Sequence, residues 1–238
     1  VETELMLADL ESLEKRVDAL TKKARGQDKD AAKQLEIVNR CLDLLRDGQP
    51  ARKVQLKDGE GKAFRMLQLL TAKPVLYVCN VDEGSAATGN ALSDRVAEMA
   101  AAQGAGSVVI SAAIEAEVAM LDDPADKKEF LESLGLEETG LARVIRAGYE
   151  LLGLLTYFTV GPKEARAWTI HKGTKAPQAA AVIHKDFERG FIAAETIAYD
   201  DFVVLGGEQA AKDAGKMRQE GREYVVKDGD IMLFRFNV

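Results

Sequence analysis

The stretch PVLYVCNVDE, residues 74–83, is the strongest indicator of fold class in this chain of 238 residues. Its first six residues form a continuous apolar run, which is typical of a strand buried on both faces of a parallel sheet. An alanine-rich helical pattern follows over residues 91–103, and SVVIS, residues 107–111, indicates a second buried strand. Strand, helix and strand in this order predict an α/β unit with a parallel sheet.

Further helical patterns at residues 125–134 and 139–152 extend this α/β unit over residues 73–152. Two strands are too few for a stable open sheet, because a parallel sheet needs neighbouring strands and cover on both faces. The sequence therefore predicts that part of this layer is missing from the chain.

Upstream, residues 1–72 are predicted to form a helical hairpin with a flanking helix. Apolar residues recur there at alternating spacings of three and four, which is typical of the seam of an antiparallel coiled coil. Gly26 is the predicted C-cap of the first helix and Asp28 the N-cap of the second. The two seams are Met6, Leu10, Leu13, Val17, Leu20 and Ala24, then Ala31, Leu35, Val38, Leu42 and Leu45.

Downstream, residues 153–238 change to short strand-like runs separated by turns such as Lys172-Gly173. Runs of strands with one or two short helices are typical of a small α+β module. The predicted strands are residues 155–159, 166–170, 192–198, 224–226 and 231–236, with helices near residues 177–183 and 207–214.

Composition narrows the class of protein. With 47% hydrophobic and 30% charged residues, the chain reads as soluble and globular, and no apolar run reaches the length of a membrane span. An acidic start without a secretory signal, and two distant cysteines, indicate a cytoplasmic protein. The net charge of −7 argues against binding nucleic acid by bulk charge. All of that charge lies in residues 1–152, because residues 153–238 are neutral.

The motifs indicate no catalytic or metal site. A phosphate-binding loop needs G-x-x-x-x-G-K-[ST], because backbone N–H groups and the lysine cradle the phosphates. The nearest match, GEGKA at residues 59–63, has Leu56 at the first glycine position and Ala63 where a hydroxyl is needed. His171 and His184 lack cysteine partners at metal-ligand spacing. We therefore predict no catalytic residue and no metal ligand in the chain.

Polar residues follow both predicted strands of the α/β unit, at the edge of the sheet where nucleotides bind in open α/β folds. NVDE, residues 80–83, and SAA, residues 111–113, are similar to the N-K-x-D and S-A-x base-binding loops of P-loop GTPases. Taken alone, an N-x-x-E tetrapeptide also fits an ordinary polar loop. The candidate base-binding residues are Asn80, Val81, Glu83, Ser111, Ala112 and Ala113.

Five segments match a known family, and they lie at residues 3–11, 69–75, 80–83, 148–152 and 158–202. RAWTI and HKDFERGFI within the last segment are the most specific. On these segments the chain resembles the YchF-type, Obg-related P-loop ATPases and GTPases. The resemblance implies a G domain, a coiled-coil hairpin inserted in it, and a C-terminal TGS domain with a ubiquitin-like β-grasp fold. It begins part-way through the G domain, so the P-loop and both switches are expected upstream of Val1.

The resemblance also implies a ligand. Val81 stands at the lysine position of N-K-x-D and Glu83 at the aspartate position. The aspartate that pairs with guanine is thus replaced by glutamate, whose extra methylene group does not allow the same bidentate geometry. Asn80 could donate to N7 of adenine and the Val81 backbone could accept from N6. ATP is therefore expected in preference to GTP, with Mg²⁺, in the full-length protein only. Glu83 receives no firm role, and a true GTPase is disfavoured.

Partners implied by the resemblance are the ribosome (the large subunit or the whole particle) and RNA, in translation or stress regulation, with no membrane or DNA specificity. The hairpin-tip cations also fit a solvated turn, and Phe158, Trp168, Phe187 and Phe191 fit either a core or stacking on bases. The alternative function is a non-enzymatic adaptor that docks RNA or ribosomal protein. Candidate contact residues are Lys22, Lys23, Arg25, Lys163, Arg166, Lys172, Lys175, Lys185 and Arg189.

By itself, the chain is predicted to hydrolyse no ATP and to bind nucleotide weakly, because the loop that holds the phosphates is expected outside it. Incubation with ATP should release no phosphate above background, and isothermal titration should detect no micromolar binding. Phosphate release that persists after contaminants have been removed would contradict this prediction.

Overall fold

The computed structural model describes residues 1–237, which form two compact units that divide after Val75. The first unit is a pair of antiparallel helices, α1 (Glu2–Arg25) and α2 (Lys29–Arg46), followed by a 3₁₀ turn (Ala51–Lys53) and α3 (Gly61–Met66). The predicted seams face each other and bury Leu13, Val38, Leu42 and Leu45.

Of the two helix caps predicted for the hairpin, the N-cap of α2 is confirmed and the glycine C-cap of α1 is not. Asp28 caps α2 as predicted, because its carboxylate accepts hydrogen bonds from the amides of Asp30 and Ala31. Gly26 follows the last residue of α1, but its φ of −79° is not left-handed. Gln27 takes the left-handed conformation instead, with φ of 67°. The reversal is therefore made one residue later than the glycine rule predicts.

Asp9 fastens the end of the first unit to the hairpin. Its buried carboxylate accepts hydrogen bonds from the backbone amides of Leu70 and Thr71, both at 2.8 Å, and from the Thr71 hydroxyl at 2.6 Å. The same Thr71 hydroxyl accepts from the amide of Ala51 at 3.0 Å. One acidic side chain therefore holds the segment that leads out of the helical unit.

The second unit begins with the predicted order of strand, helix and strand, but the prediction that both strands are buried on both faces is wrong: none of their residues is buried, and Val78 is 46% exposed, because this sheet has only two strands. Strands β1 and β2 pair in parallel from Leu76↔Gly106 to Asn80↔Ile110 and form a two-stranded sheet. Helix α5 was not predicted, since its nine residues are mostly apolar and show little amphipathic periodicity. The elements are β1 (Leu76–Asn80), α4 (Ala91–Gln103), β2 (Gly106–Ile110), α5 (Ala112–Met120), α6 (Pro124–Ser133) and α7 (Gly140–Leu151).

The remaining residues form a five-stranded mixed sheet in the order β4-β3-β7-β5-β6, in which β3 and β7 are parallel and the other neighbours antiparallel. Helix α8 packs on one face through small residues, and Tyr157 donates its hydroxyl to the carbonyl of Ala179. The elements are β3 (Leu154–Val160), β4 (Ala165–His171), α8 (Ala176–Ile183), α9 (Lys185–Arg189), β5 (Phe191–Ile197), α10 (Tyr199–Leu205), α11 (Glu208–Asp213), β6 (Arg218–Glu220) and β7 (Ile231–Phe236).

One predicted strand is wrong. Residues 224–226 make only an isolated bridge, between Val225 and Lys175, and the edge strand beside β5 is β6, which was not predicted. The apolar side chains of Tyr224 and Val226 contact the core from a loop, while the Tyr224 hydroxyl donates to the buried carboxylate of Asp230 at 2.7 Å. Burial in a loop therefore produced the alternating pattern that suggested a strand.

Replacement of Asp9 by alanine should loosen the helical unit. Three donors lose their acceptor, which at about 1 kcal/mol each corresponds to roughly 100-fold more frequent local opening. The thiol of Cys41 lies fully buried in the same unit, and burial raises its pKa to about 11. Alkylation of Cys41 at pH 8, followed by peptide mass spectrometry, should accelerate accordingly in Asp9→Ala.

The matched control is Asp18→Ala, which changes an exposed aspartate on the same helix. It should leave the alkylation rate of Cys41 within a factor of about two, the range expected of a surface substitution. Equal rates in Asp9→Ala and the control would show that the carboxylate does not hold this unit together.

Candidate functional site

The two predicted base loops are brought together at the carboxyl ends of β1 and β2. The side-chain oxygen of Asn80 accepts a hydrogen bond from the amide of Ala112 at 2.9 Å. The amide of Val81 donates to the carbonyl of Ile110, also at 2.9 Å. Because its oxygen is engaged, the exposed Asn80 side chain has its NH₂ group left to donate toward a ligand.

Ser111 is buried between the strand end and α5, with 2% of its surface exposed. Its hydroxyl has no hydrogen-bond partner among residues 1–237. A buried hydroxyl without a partner costs about 1–3 kcal/mol, so such a group calls for a partner. Ala112 and Ala113 follow it, exposed on the first turn of α5.

The other loop is shaped by a residue that the sequence did not single out. The carboxylate of Asp82 accepts from the amide of Ser85 at 2.9 Å and caps a short 3₁₀ turn, Glu83–Ser85. The side chain of Glu83 is exposed and makes no hydrogen bond or ion pair within the described chain. Asp is among the residues preferred at an N-cap, and this preference is the signal that could have identified Asp82.

The predicted RNA-contact residues are all exposed, but their surroundings differ. Arg166 stacks over the ring of Trp168 at 4.2 Å, Lys175 pairs with Glu223, and Arg189 pairs with Asp186. The hairpin-tip residues have no ion pairs in the part of the chain that the structure describes. The same holds for Lys163, Lys172 and Lys185.

The aromatic residues of the C-terminal sheet belong mainly to its core. Phe191 is buried, and Phe187 stacks on Phe236 with ring centroids 3.9 Å apart. The indole of Trp168 donates to the Thr159 hydroxyl at 2.9 Å and packs against the core. These rings therefore offer little surface on which bases could stack.

Within residues 1–237, no group of three or more His, Cys, Asp or Glu residues is arranged to hold a metal ion. His184 accepts a hydrogen bond from the amide of Asp186 and caps α9, and His171 lies exposed on β4. None of the helices in this part of the chain is long and apolar enough to cross a membrane.

Comparison with known proteins gives consistent matches along the chain. A family model for the YchF GTPase C-terminal domain, described as "Protein of unknown function (DUF933)", matches residues 154–237. The chain is 52% identical to the ribosome-binding ATPase YchF of Escherichia coli O157:H7 and 49% identical to that of Bacillus subtilis (strain 168). Both alignments cover the whole chain, which spans 65% of the length of each of these curated relatives.

Solved structures agree with these matches. The YchF GTPase of Schizosaccharomyces pombe matches 98% of this chain and 64% of its own, with a TM-score of 0.81 and 33% identity. A GTP-binding protein from Pyrococcus horikoshii OT3 matches 99% of this chain and 70% of its own, with a TM-score of 0.59 and 17% identity. At that identity the second likeness shows the fold alone.

The chain contains a parallel strand pair whose loops are joined by a hydrogen bond at the carboxyl ends of the strands, and a mixed five-stranded sheet follows. It is therefore a mixed α/β protein, and the GTP-binding protein from Pyrococcus horikoshii OT3 shares its fold. Within that class, the chain is similar along its whole length to YchF proteins, which agrees with the resemblance that its motifs predicted.

Proposed function

We propose that residues 73–152 are the base-binding part of a nucleotide-binding domain and that this part prefers adenine to guanine. The observation that carries the proposal is the orientation of Asn80, whose oxygen is held by the amide of Ala112. The free NH₂ group is then a donor of fixed direction. In this role it donates to N7 of adenine.

Val81 supplies the complementary acceptor. Its amide is already engaged by Ile110, and its carbonyl accepts no hydrogen bond from the described residues. That carbonyl is therefore available to the N6 amino group of adenine. The buried hydroxyl of Ser111 is a third polar group without a partner at the same edge.

Guanine has no equivalent partner in these loops. Its N1 and N2 donors need a carboxylate in a fixed position, and a site that lacks the matching group loses discrimination for its ligand. The carboxylate at that position belongs to Glu83, which is exposed and unconstrained by other described residues. The loops therefore favour ATP over GTP.

In the whole protein, ATP would be hydrolysed with Mg²⁺ at a phosphate-binding loop. The described residues contain no cluster that fits Mg²⁺, so no step through the metal is assigned to this chain. The relatives are named ribosome-binding ATPases, and a role at the ribosome, in the cytoplasm, is proposed here on that basis.

The flanking parts are proposed as contact modules. Residues 1–72 would be the coiled-coil hairpin, supported by the buried seams, and residues 153–238 the TGS domain. The second proposal is supported by the strand order β4-β3-β7-β5-β6 with a parallel central pair, which is the arrangement of a ubiquitin-like β-grasp. Exposed lysines without ion pairs in each module would contact RNA phosphates.

Titration with AMP, followed by the amide signals of the chain in NMR, tests the base site. AMP should shift the signals of residues 80–83 and 111–113 with millimolar affinity, and GMP should bind several-fold more weakly. Asn80→Asp keeps the acceptor for the Ala112 amide but loses the donor, so AMP binding should weaken about tenfold, the worth of one hydrogen bond. Asn80→Ala should weaken binding and also displace the Ala112 signal.

Ribose 5-phosphate serves as the control, because it carries the phosphate without a base. Equal shifts with AMP, GMP and ribose 5-phosphate would exclude base recognition and favour the adaptor function. An unchanged AMP affinity in Asn80→Asp would exclude the proposed contact with N7.

Co-sedimentation with ribosomes tests the contact modules. Replacement of Lys163, Lys172 and Lys185 by glutamine should lower the fraction of chain that pellets, and more strongly at low salt, because each lysine neutralises a phosphate. A second variant, in which Lys22, Lys23 and Arg25 are replaced by glutamine, tests the hairpin tip independently. Lys15→Gln is the control, since Lys15 is paired with Glu11 on the side of α1. Pelleting that matches this control in both sets would rule out these surfaces.

A further inference from the structure

Helix α7 contacts both base loops, and no motif in the sequence predicts this contact. Glu115, on α5 just after residues 111–113, accepts hydrogen bonds from the amides of Gly140 and Leu141 at 2.5 and 3.1 Å. These amides are the first of α7, where a carboxylate is favoured because the N–H groups carry partial positive charge. The loop that begins at Ser111 is thereby attached to the start of α7.

The contact is close enough to favour a glycine. A Cβ atom at Gly140 would lie 2.9 Å from a carboxylate oxygen of Glu115 and 3.0 Å from the Cβ of Ile110, the last residue of β2. A side chain at position 140 would therefore displace the Glu115 carboxylate and push against Ile110, so the glycine favours the close approach of α7 to these residues. Helices α5 and α7 are therefore packed closely together at this point.

Arg143, less than one turn further along α7, attaches the other loop. Its guanidinium donates a hydrogen bond to the carbonyl of Ala86 at 3.1 Å. Ala86 is buried and ends the 3₁₀ turn that Asp82 caps. The two base loops are therefore held by the same helix at points less than one turn apart, in addition to the direct Asn80–Ala112 hydrogen bond.

We propose that Glu115 and Arg143 are positioning residues of the base site. Neither is placed to touch the base; each holds one base loop on α7, so that Asn80, the Val81 carbonyl and Ser111 keep a fixed spacing. The inference rests on the base site proposed above. Binding sites need their contacting groups held within about 0.5 Å by a supporting shell, and α7 supplies that shell here.

The test compares Glu115→Gln and Arg143→Gln with matched controls that make the same chemical changes on the same helices. The controls are Glu117→Gln, which changes an exposed residue of α5, and Arg146→Gln, which changes an exposed residue of α7. AMP and GMP are titrated by NMR as before, and the melting temperature of each variant is measured. Loss of either anchor should weaken AMP about tenfold and bring the AMP and GMP affinities closer together, whereas the controls keep both values.

A purely structural role predicts a different result. Variants that melt earlier but keep the wild-type ratio of AMP to GMP affinity would overturn the inference, because the loop geometry would then not depend on these anchors. If Arg143→Gln does not fold, Arg143→Lys, which retains a shorter donor, should show an intermediate loss. A wild-type chain that responds equally to AMP and ribose 5-phosphate would refute the base site and the inference together, while wild-type selectivity that persists in both variants refutes the inference alone.

Discussion

The hydrogen bond from the amide of Ala112 to the side-chain oxygen of Asn80 is the contact on which the second unit's candidate site depends. It joins the ends of two parallel strands, orients the remaining NH₂ group of Asn80, and fixes where α5 begins. The start of α5 in turn places Glu115 against α7, which leads after two residues into β3. One amide therefore links the base loops to the element that precedes the C-terminal sheet.

The first unit uses the same principle with a different side chain. Asp9 is buried, and its carboxylate satisfies two backbone amides and one hydroxyl of the segment that closes the unit. A buried polar group that is fully hydrogen-bonded selects one arrangement, because every alternative leaves several donors without partners. Each unit thus uses one short polar side chain to satisfy backbone amides of a neighbouring segment; in the first unit this adds to the burial of Leu67 and Leu69 in the core.

Local sequence patterns predicted most of the helices and strands, and they predicted that a few polar residues lie at the strand ends. Helix α4 lies at residues 91–103 as predicted and β7 at residues 231–236, because burial periodicity and capping glycines are properties of neighbouring residues. The pattern failed at residues 224–226, where the half-buried Tyr224 and the buried Val226 pack against the core from a loop. Asn80 and Ser111 were predicted to be neighbours from the general rule that parallel strands end at one edge of the sheet. That rule does not predict which hydrogen bonds their side chains form.

The amino-acid sequence alone determined most of the elements and their order, the resemblance to a family, and the residues at the strand ends, since these depend on short-range periodicity and motif identity. Tertiary structure decided which groups remain available for a ligand. In the folded chain the oxygen of Asn80 is hydrogen-bonded, and the hydroxyl of Ser111 has no partner among the described residues. Lys175 and Arg189 are paired with acidic residues. Glu115 and Arg143 lie at the base loops. Pairings such as Lys175–Glu223 and Arg143–Ala86 join residues about 50 positions apart, and no local pattern encodes them.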